Sequence, residues 1–119
     1  MHEIRIIANF LGSAADVFRT AIDTPYLTVR AKEIITRLFN QLKDCDSINN
    51  LRRLVIDFIK EAFMIYEKLP LDDQEQHYDL LEIKESEIKR ILEKINDFEI
   101  LYNTIEAVLE DLLEEVGSE

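Results

Sequence analysis

Glycine and proline are scarce in this chain, with two of each in 119 residues. A β-sandwich or barrel uses both in its many turns, so an all-β fold is excluded. Cys45 is the single cysteine, so no internal disulfide can form. A lone thiol suits a reducing, cytoplasmic setting, and the flanking Asp44 and Asp46 raise its pKa and make it a poor nucleophile. Cations are also in short supply: 14 Lys+Arg face 25 Asp+Glu, for a net charge of −11. Nucleic-acid binding needs the reverse balance, because cations make the phosphate contacts. Long apolar runs are missing. The longest uncharged stretch, Ile6–Ala15, has ten residues, where a membrane-spanning helix needs about 20. Asn9 interrupts that stretch, which fits an amphipathic helix rather than a cleaved leader.

The signatures of common chemistry are missing too. There is no glycine-rich phosphate loop and no Ser–His–Asp set beside a glycine turn. The histidines are His2 and His77, and neither has a Glu three residues before it. That excludes a di-iron site of the ferritin type, which needs two Glu-x-x-His motifs.

What is present is apolar side chain at helical spacing. Isoleucine and leucine alone supply 31 residues, enough to fill a core. Ile7, Leu11, Ala14, Phe18 and Ala21 are spaced by three and four. So are Leu27, Ala31, Ile34, Leu38, Leu42 and Cys45. Ile48, Leu51, Val55, Phe58, Ala62, Ile65 and Leu69 form a third stripe. Ile88, Ile91, Ile95, Phe98, Tyr102, Ile105, Leu109, Leu112 and Val116 form a fourth. Two-residue alternation is sustained nowhere, so no strand is expected. Thr24-Pro25 and Asp46-Ser47 read as helix starts, and Leu69-Pro70 as a stop. Asp72 with Glu75 reads as a capping box, and Gly117 as a C-terminal cap. The expectation is an all-α single domain over 1–119. It is an up-and-down four-helix bundle with helices at about 3–22, 25–44, 48–69 and 88–116. The register fails near 79–87, which leaves a short extra helix at 72–81. A continuous helix over 72–116 is the competing arrangement.

Three features carry functional expectations. Asp79, Glu82 and Glu85 are spaced by three and would share a helical face. They are the candidate ligands for Mg²⁺ or Mn²⁺ in a metal-dependent hydrolase, the alternative reading; Asp111 and Glu114 point away from the last seam. Second, charge is uneven. Residues 1–70 carry 10 Lys+Arg and 9 Asp+Glu, while 71–119 carry 4 and 16. Arg30, Lys32 and Arg37, or Arg52, Arg53 and Lys60, could form basic patches, but acids are interleaved with both. The acidic last segment fits a basic protein partner instead. Third, the third helix is apolar almost all round. Ile56, Phe63 and Met64 lie off its seam and are the candidate interface of a homodimer. The leading expectation is therefore a protein that acts by protein–protein interaction, as homodimer, adaptor or inhibitor. Nucleic acid, membrane and catalysis play no part in that reading.

Overall fold

A computed structural model describes residues 2–117, and 82% of them are helical, with no strand among them. The elements are α1 (His2–Ile22), α2 (Thr28–Lys43), α3 (Ile48–Tyr66), α4 (Leu71–Gln74), a 3-10 turn (Glu75–His77), α5 (Tyr78–Leu81), α6 (Glu85–Leu92) and α7 (Phe98–Gly117). The all-α expectation stands, but the molecule has more helices than the expected four.

The first three stripes are buried as their spacing requires. Ile7, Leu11, Ala14, Phe18 and Ala21 of α1 lie in the core, with Ala31, Ile34, Leu38 and Leu42 of α2 and Leu51, Val55, Phe58, Ala62 and Ile65 of α3. Phe18 meets Phe58 edge to face, with ring centroids 5.5 Å apart. α3 also buries Leu54, Ile59 and Tyr66. Apart from the exposed Met64, its apolar circumference is explained within the chain, since it packs against α1, α2, α6 and α7.

Helix starts follow the local hydrogen bonding. Ser47 caps α3, its hydroxyl accepting from the Asn50 amide at 3.2 Å. Thr24-Pro25 does not start α2. The Thr24 hydroxyl donates back to the Thr20 carbonyl at 2.8 Å, and the Thr28 hydroxyl donates to the Ile22 carbonyl at 2.7 Å. Both threonines close α1 rather than open α2, so α2 begins three residues later than expected. The Asp72–Glu75 capping box does not form either; Pro70 precedes α4 without a side-chain cap. Gly117 is still helical, and no glycine among the described residues has positive φ.

The largest correction concerns the expected helix 88–116. It is two helices, α6 and α7, separated by residues 93–97. Asp97 caps α7, its carboxylate accepting from the Ile100 amide at 3.2 Å. Arg52 of α3 closes the other side of the break. Its guanidinium donates to the carbonyls of Leu92 (3.0 Å) and Ile95 (2.8 Å) and to the Asn96 side chain (3.1 Å). Leu92 lies in the last turn of α6, and its carbonyl accepts from the Ile95 amide as well as from Arg52. In α7 the fully buried stripe is Leu101, Ile105, Leu109 and Leu112, whereas Phe98, Tyr102 and Val116 are half-buried. The continuous 72–116 helix is likewise ruled out by the breaks at 82–84 and 93–97.

Side-chain pairings fix the path of the chain. Arg37 meets Asp57 and Glu61, and Tyr26 meets Lys68, so α2 and α3 run antiparallel. Thr20 meets His77, Ser13 meets Asp79, and His2 and Ile6 line a cleft with Ile91 and Lys94. The segment 71–92 therefore descends along α1. Arg19 pairs with Glu115 at 2.8 Å, so α7 ascends parallel to α1, packed against α1 and α2.

Candidate interaction surface

The carboxylates expected to hold a metal do not share a face. Asp79 lies in α5 and accepts from the Ser13 hydroxyl at 2.7 Å. Glu82 follows α5 as its C-cap, and Glu85 opens α6 after a non-helical step. Helical spacing thus has no meaning across 82–84. Glu85 is paired with Lys60 at 2.8 Å and Lys89 at 3.2 Å, and the hydrogen bond from Lys60 first, then that from Lys89, holds its pKa below the usual value. Among the described residues, no three His, Cys, Asp or Glu are grouped so as to hold a metal ion.

The expected interface residues divide. Ile56 is half-buried and lines a cleft beside Lys89, Leu92 and Glu93 of α6. Phe63 is half-buried against the chain's own core, and only Met64 is exposed. Neighbouring helix residues are about 100° apart, so Phe63 and Met64 do not share one stripe of α3.

Most cations of the expected basic patches are paired, Arg53 excepted. Arg37 donates to Asp57 and to the buried carboxylate of Glu61, at the seam of α2 and α3. Arg30 lies 3.7 Å from Glu33, and Lys60 is held by Glu85. Arg52 is engaged by the α6–α7 break.

Charge that is uneven along the chain becomes polarised along the molecule. One end holds the last third of α1, the first half of α2, the second half of α3, the segment 67–85 and the greater, C-terminal part of α7. Those residues, 16–36, 57–85 and 106–117, carry 6 Lys+Arg and 17 Asp+Glu, net −11. The opposite end, 2–15, 37–56 and 86–105, carries 8 and 7, net +1. Glu119 lies outside the described residues.

Exposed apolar side chains gather at the same end. Tyr26, Val29, Met64, Leu71, Tyr78 and Leu81 are each 50–77% exposed. Of the large exposed apolar residues described, only Ile100 belongs to the other end. Contacts link the segments that carry Tyr26, Leu71 and Tyr78. The Tyr26 hydroxyl donates to the Lys68 carbonyl at 2.9 Å, and Gln74 donates to the Leu69 carbonyl at 3.0 Å. Burial first, and the nearby Tyr78 phenol second, raise the pKa of Tyr66. Sequence reasoning singled out Met64 alone of the six. The others sit on two stretches, 26–29 and 71–81, and only the topology brings those stretches to the end that holds Met64.

No helix of the described residues is long and apolar enough to cross a membrane. Comparison with protein-family models, with curated proteins and with solved structures found no match to this chain.

Proposed function

We propose that this protein acts by binding another protein through its acidic, apolar end, as an adaptor or inhibitor rather than as an enzyme. The observation that carries the reading is the gathering there of six exposed apolar side chains. Scattered apolar residues are ordinary on a protein surface, but a concentration of them at one end marks an interaction site. The lone, half-buried thiol of Cys45 supports a reducing, cytoplasmic setting.

Self-association is the weaker form of this reading. Two of the three residues on the expected dimer stripe, Ile56 and Phe63, already pack on the core. A two-fold dimer through the acidic end would set two faces of net −11 against each other.

The test is a capture experiment from the native host with wild-type protein and the variant Leu71→Ser/Tyr78→Ser/Leu81→Ser. These residues are exposed, so the variant keeps its helical circular dichroism. A partner held by the wild type and lost by the variant supports the reading. Identical partner sets overturn it.

A further inference from the structure

Resting on that reading, we propose that the partner docks on this end as a basic amphipathic helix, with apolar anchors on one face flanked by Lys or Arg. The first argument is geometric. An extended peptide binds by adding to a sheet edge, and the described residues contain no strand. What the surface offers is helices and the angles between them, which receive another helix through anchors at i, i+3 or i+4, and i+7. The exposed seat is formed by Met64 on α3, Leu71 on α4, and Tyr78 and Leu81 on α5, with Tyr26 beside Lys68.

The second argument is energetic. The five side chains of the seat are already partly buried, so each has only part of its apolar surface left to offer a partner. Association itself costs translational and rotational freedom and the ordering of side chains. Apolar contact alone is therefore too little for a stable complex, and opposite charge must contribute.

The third argument selects the occupant. The seat is ringed by Glu67, Asp72, Asp73, Glu75, Asp79 and Glu82, against Lys60, Lys68 and Lys84. Lys60 is already paired with Glu85. A second copy of this chain would present the same ring and be repelled, and so would nucleic acid or an anionic membrane. A helix flanked by cations is attracted.

The seat and the wider field act separately. The outer face of α7 near this end carries Glu110, Asp111 and Glu114, which are exposed, but none of the large exposed apolar residues. α7 accelerates encounter, while the seat holds what arrives.

The experiment uses the full chain and an 18-residue synthetic helix with Leu at i, i+3, i+4 and i+7 positions and Lys elsewhere. Two control peptides accompany it: the same composition scrambled, and the same pattern with Glu in place of Lys. The patterned Leu/Lys peptide binds at least tenfold tighter than the scrambled one, the Leu/Glu peptide does not bind, and chemical-shift changes centre on Met64, Leu71, Tyr78 and Leu81. Leu71→Ser/Tyr78→Ser/Leu81→Ser raises the dissociation rate at least tenfold, and Met64→Ser alone raises it several-fold. Glu110→Gln/Asp111→Asn/Glu114→Gln slows association several-fold and leaves dissociation unchanged. Equal binding of the scrambled peptide, changes centred on α7, or a dimer of the free protein at 100 µM would each overturn the proposal. If the peptides fail while the seat variant still loses its partner from the host, the interaction reading survives and only the partner's chemistry is wrong. If the seat variant loses no partner, the reading itself falls.

Discussion

Removing the Arg52 side chain tests how the α6–α7 break is held. Its guanidinium donates to the Leu92 and Ile95 carbonyls at 3.0 and 2.8 Å. Both residues are buried, so their carbonyls have limited access to water in its place. Hydrogen bonds to a charged group contribute about 1.5–3 kcal/mol each. Arg52 is half-buried, so water recovers part of the loss, and Arg52→Ala costs roughly 2–3 kcal/mol after that discount. With a urea m-value of about 2 kcal/mol/M, the midpoint falls by roughly 1–1.5 M. Arg52→Lys recovers less than half, because one ammonium cannot reproduce the planar fork that spans both carbonyls. Arg53→Ala is the control: Arg53 is exposed and makes no hydrogen bond or ion pair among the described residues, so its removal stays within about 0.5 kcal/mol. Hydrogen exchange adds a local readout, since the amides of Lys94 and Ile95, bonded to Ile91 and Leu92, lose protection in Arg52→Ala. If Arg52→Ala and Arg53→Ala unfold at the same urea concentration, the break is held by something other than Arg52.

Other outcomes follow from the same contacts. Ile56→Glu with Phe63→Glu lowers the urea midpoint sharply, because both side chains lean on the core, while Met64→Glu leaves it within about 0.5 kcal/mol of wild type. Glu85 has a depressed pKa, so its pairing stabilises the fold above the unfolded carboxylate value of about 4.3 and is lost as pH falls through the folded value. Carbon-detected titration should show that Lys60→Met moves the Glu85 pKa up. Burial, then Asp46 and Asp44, raise the Cys45 thiol pKa, so iodoacetamide at pH 8 modifies native protein more slowly than urea-unfolded protein. An equal rate in both states would show the thiol to be unperturbed. Raising NaCl from 10 mM to 0.3 M increases the melting temperature by screening the acidic end, and a fall would mean that attraction between ends dominates.

Much of the fold was legible because burial follows spacing. The stripes through Phe18, Leu38 and Phe58 are the core, and Ser47 caps α3 as its position suggests. Thr24 misled because a threonine hydroxyl can bond backward to a carbonyl as readily as forward to an amide. The break at 93–97 was hidden by Ile95. It is fully buried in the turn itself, so the three-and-four spacing runs unbroken through two helices of opposite sense. Asn96-Asp97 was the available signal, a pair of residues that favour helix starts. Arg52 gave none, since its acceptors are backbone carbonyls some forty residues away. The interaction end was half legible. The surplus of acid after residue 70 was plain, but its convergence with Tyr26, Met64 and Leu71 depends on α7 ascending beside α1, which only the pairing of Arg19 with Glu115 reveals.

The separation of charge along the helix axes makes the molecule an electric dipole as well as an anion. A positively charged support exerts a torque on it before contact, within a Debye length of about 8–10 Å at ordinary ionic strength. The molecules then adsorb with the acidic end down. An amine-coated sensor or an anion-exchange bead would thus hold the protein firmly while covering Leu71, Tyr78 and Leu81. α1 and α7 run parallel, so residues 2 and 117 stand at opposite ends, roughly 30 Å apart at 1.5 Å per residue. A tether at residue 2 stands the molecule upright with the acidic end in solution. A tether at residue 117 places the linker beside the surface a partner must reach.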